Sequence, residues 1–140
     1  MVQELKETIL LKVDYFNNKI ACILDETPKK IVVTFGNATT IAGQCYQWPS
    51  RPDYAKLRFS LILAKIVDDE ELNNTIIHEL THAYNLKYDN HGKAWQAIAK
   101  RVGDALGYDL RRTYKMTKKE TIALEEFKNK KLEERRKIVW

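Results

Sequence analysis

The spacing of apolar residues near the N-terminus predicts an amphipathic helix. Apolar side chains recur there at intervals of three and four, which keeps them on one stripe of a helix: Leu5, Ile9, Val13, Phe16 and Ile20. We predict a helix from residue 3 to about residue 18, with Asn17-Asn18 at its exit. Its apolar stripe is expected to pack against the core and to carry no chemistry.

After residue 30 the pattern changes to short segments rich in β-branched and aromatic residues. These segments predict three strands: Ile31–Phe35, Ala42–Trp48 and Lys56–Leu63. Polar and apolar residues alternate in the third segment, so one of its faces is expected to be buried. Gly43 inside the second segment indicates a bulge or a close backbone contact. Three short strands with short connections predict a small antiparallel or mixed sheet.

The second half of the chain returns to helical spacing. We predict three helices there: Asp69–Leu86, Lys93–Leu106 and Thr117–Lys137. Asp68 followed by Glu71 resembles a capping box at the start of the first. Gly107 is a stop signal after the second. The whole pattern indicates an α+β fold.

All three histidines fall in one stretch, Thr75–Gly92. His78 and His82 are four residues apart, so on a helix they share one face, and Glu79 is rotated from His78 by about 100°. Two such imidazoles can bind one metal ion while Glu79 reaches a water molecule beside it, as in zinc hydrolases. A chance match on a surface helix is the alternative. The apolar helix disfavours it, because buried imidazoles and a carboxylate need a compensating partner such as a cation.

Zinc in a hydrolytic site normally takes three protein ligands and leaves one position for water. His91 is the leading third candidate, because it follows a turn at Asp89-Asn90 and Gly92 would let the backbone bend there. Asp104 or Asp89 is the alternative third ligand. Any of four tyrosines could stabilise an oxyanion, and the sequence does not choose among them: Tyr84, Tyr88, Tyr108 and Tyr114.

Composition adds a second expectation. The chain has 140 residues, 44% of them hydrophobic, which is enough for one domain with a real core. Its net charge of +5 and pI of about 9.1 are compatible with DNA as a partner. Basic residues cluster after the histidines and form the candidate DNA contacts, although such runs are usually a solvated helix face: Lys93, Lys100, Arg101, Arg111, Arg112 and Lys115.

The two cysteines exclude one class of site. Cys22 and Cys45 form no C-x-x-C pair, so they do not build a structural zinc module, and we expect free thiols. Nothing in the sequence is typical of a signal peptide, and no apolar run has the length of a membrane span. We therefore expect a cytoplasmic protein, most simply a monomer, that does not contact a membrane.

An ordered set of short motifs gives a resemblance over about residues 10–108. After the first strand comes Ala42-Gly43-Gln44-Cys45, then the segment around H-E-x-x-H, and then His91-Gly92-Lys93-Ala94-Trp95. The first is similar to an A-G-x-C element and the last to H-G-x-x-[FW]. In this order they resemble the SprT-like family of zinc metallopeptidase domains, which includes Spartan, the protease of DNA–protein crosslinks.

The resemblance implies a zincin-like single domain, whose three-stranded sheet packs on the N-terminal helix and the H-E-x-x-H helix and is followed by C-terminal helices. It implies one zinc ion held by His78, His82 and His91, with Glu79 as catalytic base acting on a protein or peptide substrate. The domain would span residues 1–112, with residues 113–140 as a charged helical extension.

One departure from the family pattern concerns DNA. Many members carry a zinc ribbon built from four cysteines, whereas this chain has no cysteine after Cys45. The contact with DNA that such a ribbon would make is therefore in question. The alternative function is a metal-stabilised DNA- or protein-binding module without catalytic activity.

Overall fold

The structure is a computed structural model that describes residues 2–111 and 116–139, with side chains described to residue 134. Within these residues it is an α+β fold, as predicted. Its elements follow one another in this order: α1 Val2–Leu24, β1 Lys30–Gly36, β2 Gly43–Gln47, β3 Tyr54–Ser60, α2 Leu61–Ile66, α3 Asp69–Ala83, α4 Lys93–Leu106 and α5 Lys118–Val139.

The three strands form one mixed sheet with β3 in the middle. β1 pairs with β3 in parallel, and β2 pairs with β3 antiparallel, so the order is β1-β3-β2. Leu57 of β3 lies opposite Val33 on one side and Cys45 on the other. Because paired residues share a face, these side chains point to the same side of the sheet. β2 is therefore an edge strand of the sheet.

The core lies between the inner face of the sheet and the helices α1, α3 and α4. Its fully buried members come from α1, β3, α3 and α4, and include Ile9, Ile20, Leu57, Phe59, Ile76, Ile77, Leu80 and Val102. Burying one such side chain contributes about 1.5–3 kcal/mol. The apolar stripe predicted for the N-terminal helix is therefore confirmed as a core-packing face, and α3 is anchored by its buried side.

The N-terminal helix is longer than predicted, and Asn17-Asn18 is not its exit. The helix continues to Leu24. Asn17 is buried, its Nδ2 donates to the Lys29 carbonyl at 2.9 Å, and its Oδ1 accepts from the Tyr84 hydroxyl at 2.6 Å. Asparagine favours a helix end when its side chain bonds nearby backbone. Here distant partners use the side chain, so the helix runs through.

The ends of the third strand and of α3 were also predicted wrongly, and one short helix between them was missed. The strand ends at Ser60 rather than Leu63, and the short helix α2, which the sequence analysis missed, follows at once. Ser60 is its N-cap, because its Oγ accepts from the Leu63 backbone N–H at 3.2 Å. α3 ends at Ala83 rather than Leu86, because the chain turns into a loop stabilised by its own side chains.

The two C-terminal helices match their predictions. α4 has the predicted bounds, and Gly107 ends it in the left-handed conformation with φ 83°. α5 begins with a capping box: the Thr117 N–H donates to Glu120 at 2.8 Å, and the Glu120 N–H donates to Thr117 Oγ1 at 3.1 Å. Leu124 of α5 packs on α2. No helix among the described residues is long and apolar enough to cross a membrane.

Candidate metal centre

Helix α3 positions two of the three histidines and the glutamate between them. Its first turn is capped by Asp68, whose carboxylate accepts from the Glu71 N–H at 2.8 Å. The acidic residues of that turn suit the positive end of the helix dipole. The side carrying Ile76, Ile77 and Leu80 is fully buried, so the helix cannot rotate without exposing it. This fixes the direction of His78 and His82.

A loop stabilised by hydrogen bonds carries the third histidine. Asn85 Nδ2 donates to Asp89 Oδ1 at 2.7 Å, and Asn85 Oδ1 accepts from the Lys87 N–H at 3.2 Å. The Asp89 carboxylate also accepts from the backbone N–H groups of Ala94 at 2.8 Å and Trp95 at 3.3 Å. Asp89 therefore caps α4 from the loop and connects the end of α3 to the start of α4.

The backbone of this loop reverses at the predicted turn, Asp89-Asn90, and one residue before it, but not at Gly92. Tyr88 and Asn90, on either side of Asp89, have φ of 54° and 56°, in the left-handed region. Gly92 has an ordinary φ of −73° and does not make the bend. A Cβ at Gly92 would lie 2.5 Å from Asp89 Oδ2. The glycine is needed there to leave room for the capping carboxylate.

The three imidazoles converge on one point. His91 Nε2 lies 3.1 Å from His78 Nε2 and 3.2 Å from His82 Nε2. Nitrogen atoms that share one tetrahedral zinc ion, at about 2.0–2.1 Å from the metal, are about 3.3–3.4 Å apart. The spacing therefore fits a single ion, and among the described residues this is the one group able to hold a metal.

The protonation states of His78 and His82 also fit a metal. His78 Nδ1 lies 2.8 Å from the Leu110 carbonyl, which can only accept, so this nitrogen is the donor and Nε2 keeps a lone pair for the cluster. Burial lowers the pKa of His78. Burial, with the charges of His78 and His91, lowers the pKa of His82 to about 3. Both rings are therefore neutral at neutral pH, as ligands must be.

Glu79 lies beside the cluster in a buried position. Its side chain is 11% exposed, and its Oε2 lies 4.0 Å from His78 Nε2. Burial raises the pKa of Glu79 to about 7, so its carboxylate is a stronger base than an exposed one. A Cβ at Gly43 would lie 2.9 Å from Glu79 Cγ, which confirms the close backbone contact predicted for this glycine.

Trp95 is a site residue that the sequence analysis did not assign. Its ring centroid lies 4.8 Å from that of His78, 4.9 Å from that of His82 and 4.8 Å from that of His91. The side chain is buried, and its Nε1–H has no hydrogen-bond partner among the described residues. Trp95 thus supports all three imidazoles at once. The sequence signal for it was its place in the H-G-x-x-[FW] element.

The alternative third ligands lie elsewhere. The Asp89 carboxylate is occupied in capping α4, and its pKa is lowered by the hydrogen bond from Asn85 and by those from Ala94 and Trp95. Asp104 is exposed and pairs with Lys100 at 2.8 Å along α4. Neither carboxylate joins the histidine group among the described residues.

Two hollows meet at Glu79. The first, here called the metal-side groove, has a volume of about 540 Å³ and is lined by the three histidines, Glu79 and all of β2. The second, here called the apolar cavity, has a volume of about 480 Å³ and extends from Glu79 along the N-terminal half of α3. Gly43, His78 and Glu79 line both hollows.

The four tyrosines are now distinguished by position. Tyr88 lines the metal-side groove. Tyr84 faces α1, where its hydroxyl bonds Asn17, and the Tyr108 hydroxyl accepts from Asn73 at 3.1 Å. Tyr114 lies outside the described residues.

The candidate DNA contacts are dispersed over α4 and the segment after it. Lys93 and Arg111 are exposed. Lys100 is engaged with Asp104, and Arg101 donates to the Ile23 carbonyl at the end of α1 at 2.7 Å. Arg112 and Lys115 lie outside the described residues.

A comparison with protein-family models gives a match. The chain matches the SprT-like family model over residues 8–120, most of its length and the whole histidine cluster. A search of curated proteins finds no match. The extent of the family match, together with three histidines able to hold a metal ion, identifies a metallopeptidase-like domain. The chain belongs to the SprT-like family.

Proposed function

We propose that the protein is a zinc-dependent metalloendopeptidase in which His78, His82 and His91 hold one zinc ion and Glu79 is the general base. The observation that carries this proposal is the convergence of three Nε2 atoms, 3.1 and 3.2 Å from one another through His91, beside a buried carboxylate. A merely structural cluster would not need a carboxylate next to it.

The chemistry follows from this arrangement. When bound, a zinc ion supplies Lewis acidity that activates water and polarises a carbonyl group. Glu79 accepts the proton of the attacking water and delivers it to the leaving amine nitrogen. The hydrogen bond from His78 Nδ1 to the Leu110 carbonyl holds that ring in its tautomer and orientation. Tyr88, in the groove, is the tyrosine that we assign to stabilising the oxyanion.

The number of candidate ligands favours catalysis over the alternative of a binding module with structural zinc. Structural zinc takes four protein ligands, whereas catalytic zinc takes three and keeps an open position. Three ligand side chains converge among the described residues. Residues 112–115, outside the described part of the chain, are Arg, Thr, Tyr and Lys, and none of these is a usual zinc ligand.

The shape of the groove favours a polypeptide as substrate. β2 is an edge strand, so its outer backbone N–H and C=O groups can pair with an extended peptide. Gln47 at the end of the strand holds it to the segment after α3, because its Nε2 donates to the Asn85 carbonyl at 3.3 Å. A peptide paired with β2 would pass over the histidines and Glu79, which line the same groove.

The test is Glu79→Gln in a proteolysis assay with the metal content measured. We expect the variant to keep its zinc and to lose at least about 100-fold in kcat, because the general base is gone while the three imidazoles remain. Glu70→Gln, an exposed glutamate in the first turn of α3, is the matched control and should cleave like wild type. Equal cleavage by Glu79→Gln, or zinc-loaded wild type that cleaves no protein, contradicts the proposal.

We also propose DNA as a partner, supported by the net charge of +5 and by the exposed positions of Lys93 and Arg111. Binding through phosphate contacts should weaken steeply with salt. Lys93→Gln together with Arg111→Gln should lower the affinity for all DNA sequences alike. The double variant should also reduce the slope of the logarithm of the binding constant against the logarithm of the salt concentration. Binding that is absent at low ionic strength, or insensitive to salt, contradicts this second proposal.

A further inference from the structure

The apolar cavity opens directly beside the group that we assign as catalytic base. Glu79 and His78 line it on one side, and it continues away from the histidines along α3 past Thr75 and Leu72. A residue bound over the histidines would therefore have the mouth of this cavity as its neighbour. The cavity and the groove along β2 are distinct hollows that share Gly43, His78 and Glu79 in their linings.

The wall of the cavity is built mainly from apolar side chains. α2 contributes Leu63 and Ala64, β3 contributes Phe59, and Val67 follows α2. Because α2 is a separate short helix, its placement gives the cavity a wall that α3 alone could not supply. The volume of about 480 Å³ lies within the range of about 300–1,000 Å³ that is usual for ligand pockets.

The buried polar residues in the lining have interactions of their own. Asn74 Nδ2 donates to the Asp109 carbonyl at 3.1 Å. Glu71 likewise has an interaction within the fold. The lining also includes Thr39, Thr40 and Thr75, yet more than half of the surface offered to an incoming side chain is hydrocarbon, which favours apolar groups because they leave water on binding.

The C-terminal extension contributes to the same cavity. Met116 is part of its lining. Leu124 of α5 packs on Ile62 and Leu63 of α2, so the extension also supports the helix that forms part of this wall. Met116 is unbranched and flexible, which lets the wall adapt to different apolar shapes.

We propose that the apolar cavity binds the side chain of a residue that adjoins the cleaved peptide bond, so that substrates with a large apolar residue there are preferred. This inference rests on the proposed peptidase function and deepens it by naming a substrate class. It assigns Ala64, Val67 and Met116 as specificity-determining residues, and it gives the C-terminal extension a part in substrate choice.

The experiment uses the full-length zinc-loaded protein and quenched fluorescent peptides that vary at the two positions flanking the cleaved bond. Wild type should prefer Leu, Phe or Met over Gly, Asp or Lys at one of the two positions by at least about tenfold in kcat/KM. Ala64→Phe fills the cavity and should shift the preference to small residues, while cleavage of peptides with Ala at that position persists. Ala97→Phe, at an exposed position of α4, should keep the wild-type profile.

Two further variants keep the test decisive. Where Ala64→Phe does not fold, Thr40→Trp, at an exposed position of the rim, blocks the cavity from outside. Met116→Ala enlarges the cavity and should raise kcat/KM for Phe relative to that for Leu by a few fold. A wild-type profile in both blocking variants, no preference at either position, or a preference for Lys or Asp overturns the inference.

A binding measurement separates this inference from the proposed function. Fluorescence anisotropy with the same peptides and Glu79→Gln reports cavity recognition without turnover. If wild type cleaves nothing, yet Glu79→Gln binds apolar peptides best and Ala64→Phe abolishes that preference, then the peptidase proposal fails and the cavity assignment stands. If cleavage depends on Glu79 but selectivity ignores the cavity variants, then only the cavity assignment fails.

Discussion

The two segments that supply the histidines are held by different forces. α3 carries His78 and His82, and it is fixed by a fully buried apolar side. The loop that carries His91 is exposed and is fixed by hydrogen bonds around Asp89. Hydrophobic burial is distributed over many contacts, whereas the loop depends on a few polar atoms. We therefore expect the pair on α3 to be robust and the position of His91 to be the sensitive part of the centre.

Replacing a proposed zinc ligand, on α3 or on the loop, should have the largest effect, and the quantity affected is the stabilisation by zinc. Zinc at 100 times its dissociation constant should add about 2.7 kcal/mol to the free energy of unfolding of wild type, because it binds the folded state alone. His82→Ala and His91→Ala should each lose this gain. Urea unfolding with zinc and with a chelator measures it. In the zinc-free protein His91→Ala should destabilise less than His82→Ala, because His91 belongs to the exposed loop. The opposite order contradicts the comparison.

Weakening the loop without touching a ligand should have the next largest effect. Asp89→Asn keeps the size of the side chain but removes its charge, so the cap of α4 loosens and zinc affinity should fall about tenfold or more. Competition with a chromophoric chelator measures the affinity. Asp104→Asn, which changes an exposed carboxylate later on α4, is the control and should bind zinc like wild type.

The pH dependence of this loop has a defined sign. Hydrogen bonds from Asn85, Ala94 and Trp95 lower the pKa of Asp89. Its stabilising effect is therefore present above the pKa of an unfolded aspartate, about 3.9, and is lost as the pH falls through the lowered folded value. The protection of the Ala94 amide, measured as its exchange rate relative to the intrinsic rate at the same pH, should stay constant from pH 7 to 5 in the zinc-free protein and fall below about pH 3.9. A fall in protection between pH 7 and 5 contradicts this assignment.

The helix side of the comparison can be tested through the packing around Glu79. Gly43→Ala would bring a Cβ to 2.9 Å from Glu79 Cγ and 3.2 Å from Thr75 Cγ2, so the carboxylate must shift. We expect kcat to fall several-fold with unchanged zinc content. Gly36→Ala is the matched control, because its Cβ meets only the end of the flexible Arg58 side chain. Equal activity of both variants would show that the position of Glu79 is less constrained than the contact implies.

The smallest expected effect concerns the two thiols. Burial, with a further contribution from the charge of Glu79, raises the pKa of Cys45 to about 12, so this thiol is protonated at pH 8. Cys22 is exposed on α1. Iodoacetamide at pH 8 should label Cys22 at least about tenfold faster, and Cys22→Ser should remove the fast phase. Similar rates for both thiols contradict the burial of Cys45 against α3.

Local signals predicted part of this architecture. α4 was predicted to the residue, because its apolar face and Gly107 act within the segment itself. α2 was missed, because its six residues continue the apolar pattern of β3 and its cap at Ser60 depends on one side-chain rotation. α1 was predicted too short, because Asn17 finds its partners on Lys29 and Tyr84, which sequence spacing does not reveal.

The candidate site was likewise predictable only in part from the sequence. Periodicity alone places His78, Glu79 and His82 together, since they lie within one helical turn. That His91 reaches them depends on left-handed backbone at Tyr88 and Asn90. Asparagine favours that conformation and the turn at Asp89-Asn90 was predicted, whereas tyrosine rarely adopts it, so the sequence did not reveal the reversal at Tyr88. The apolar cavity depends on how α2, β3 and Met116 meet, so only the tertiary structure shows it.

The position of Trp95 has a practical consequence. Its indole ring contacts all three imidazoles at about 5 Å between ring centroids. A cation arriving among those rings changes the electric field at the indole, so the fluorescence of Trp95 becomes an intrinsic indicator of occupancy. Titrating the double variant Trp48→Phe, Trp140→Phe, which leaves Trp95 as the one tryptophan in the sequence, would let the filling and emptying of the centre be followed in real time without any attached dye.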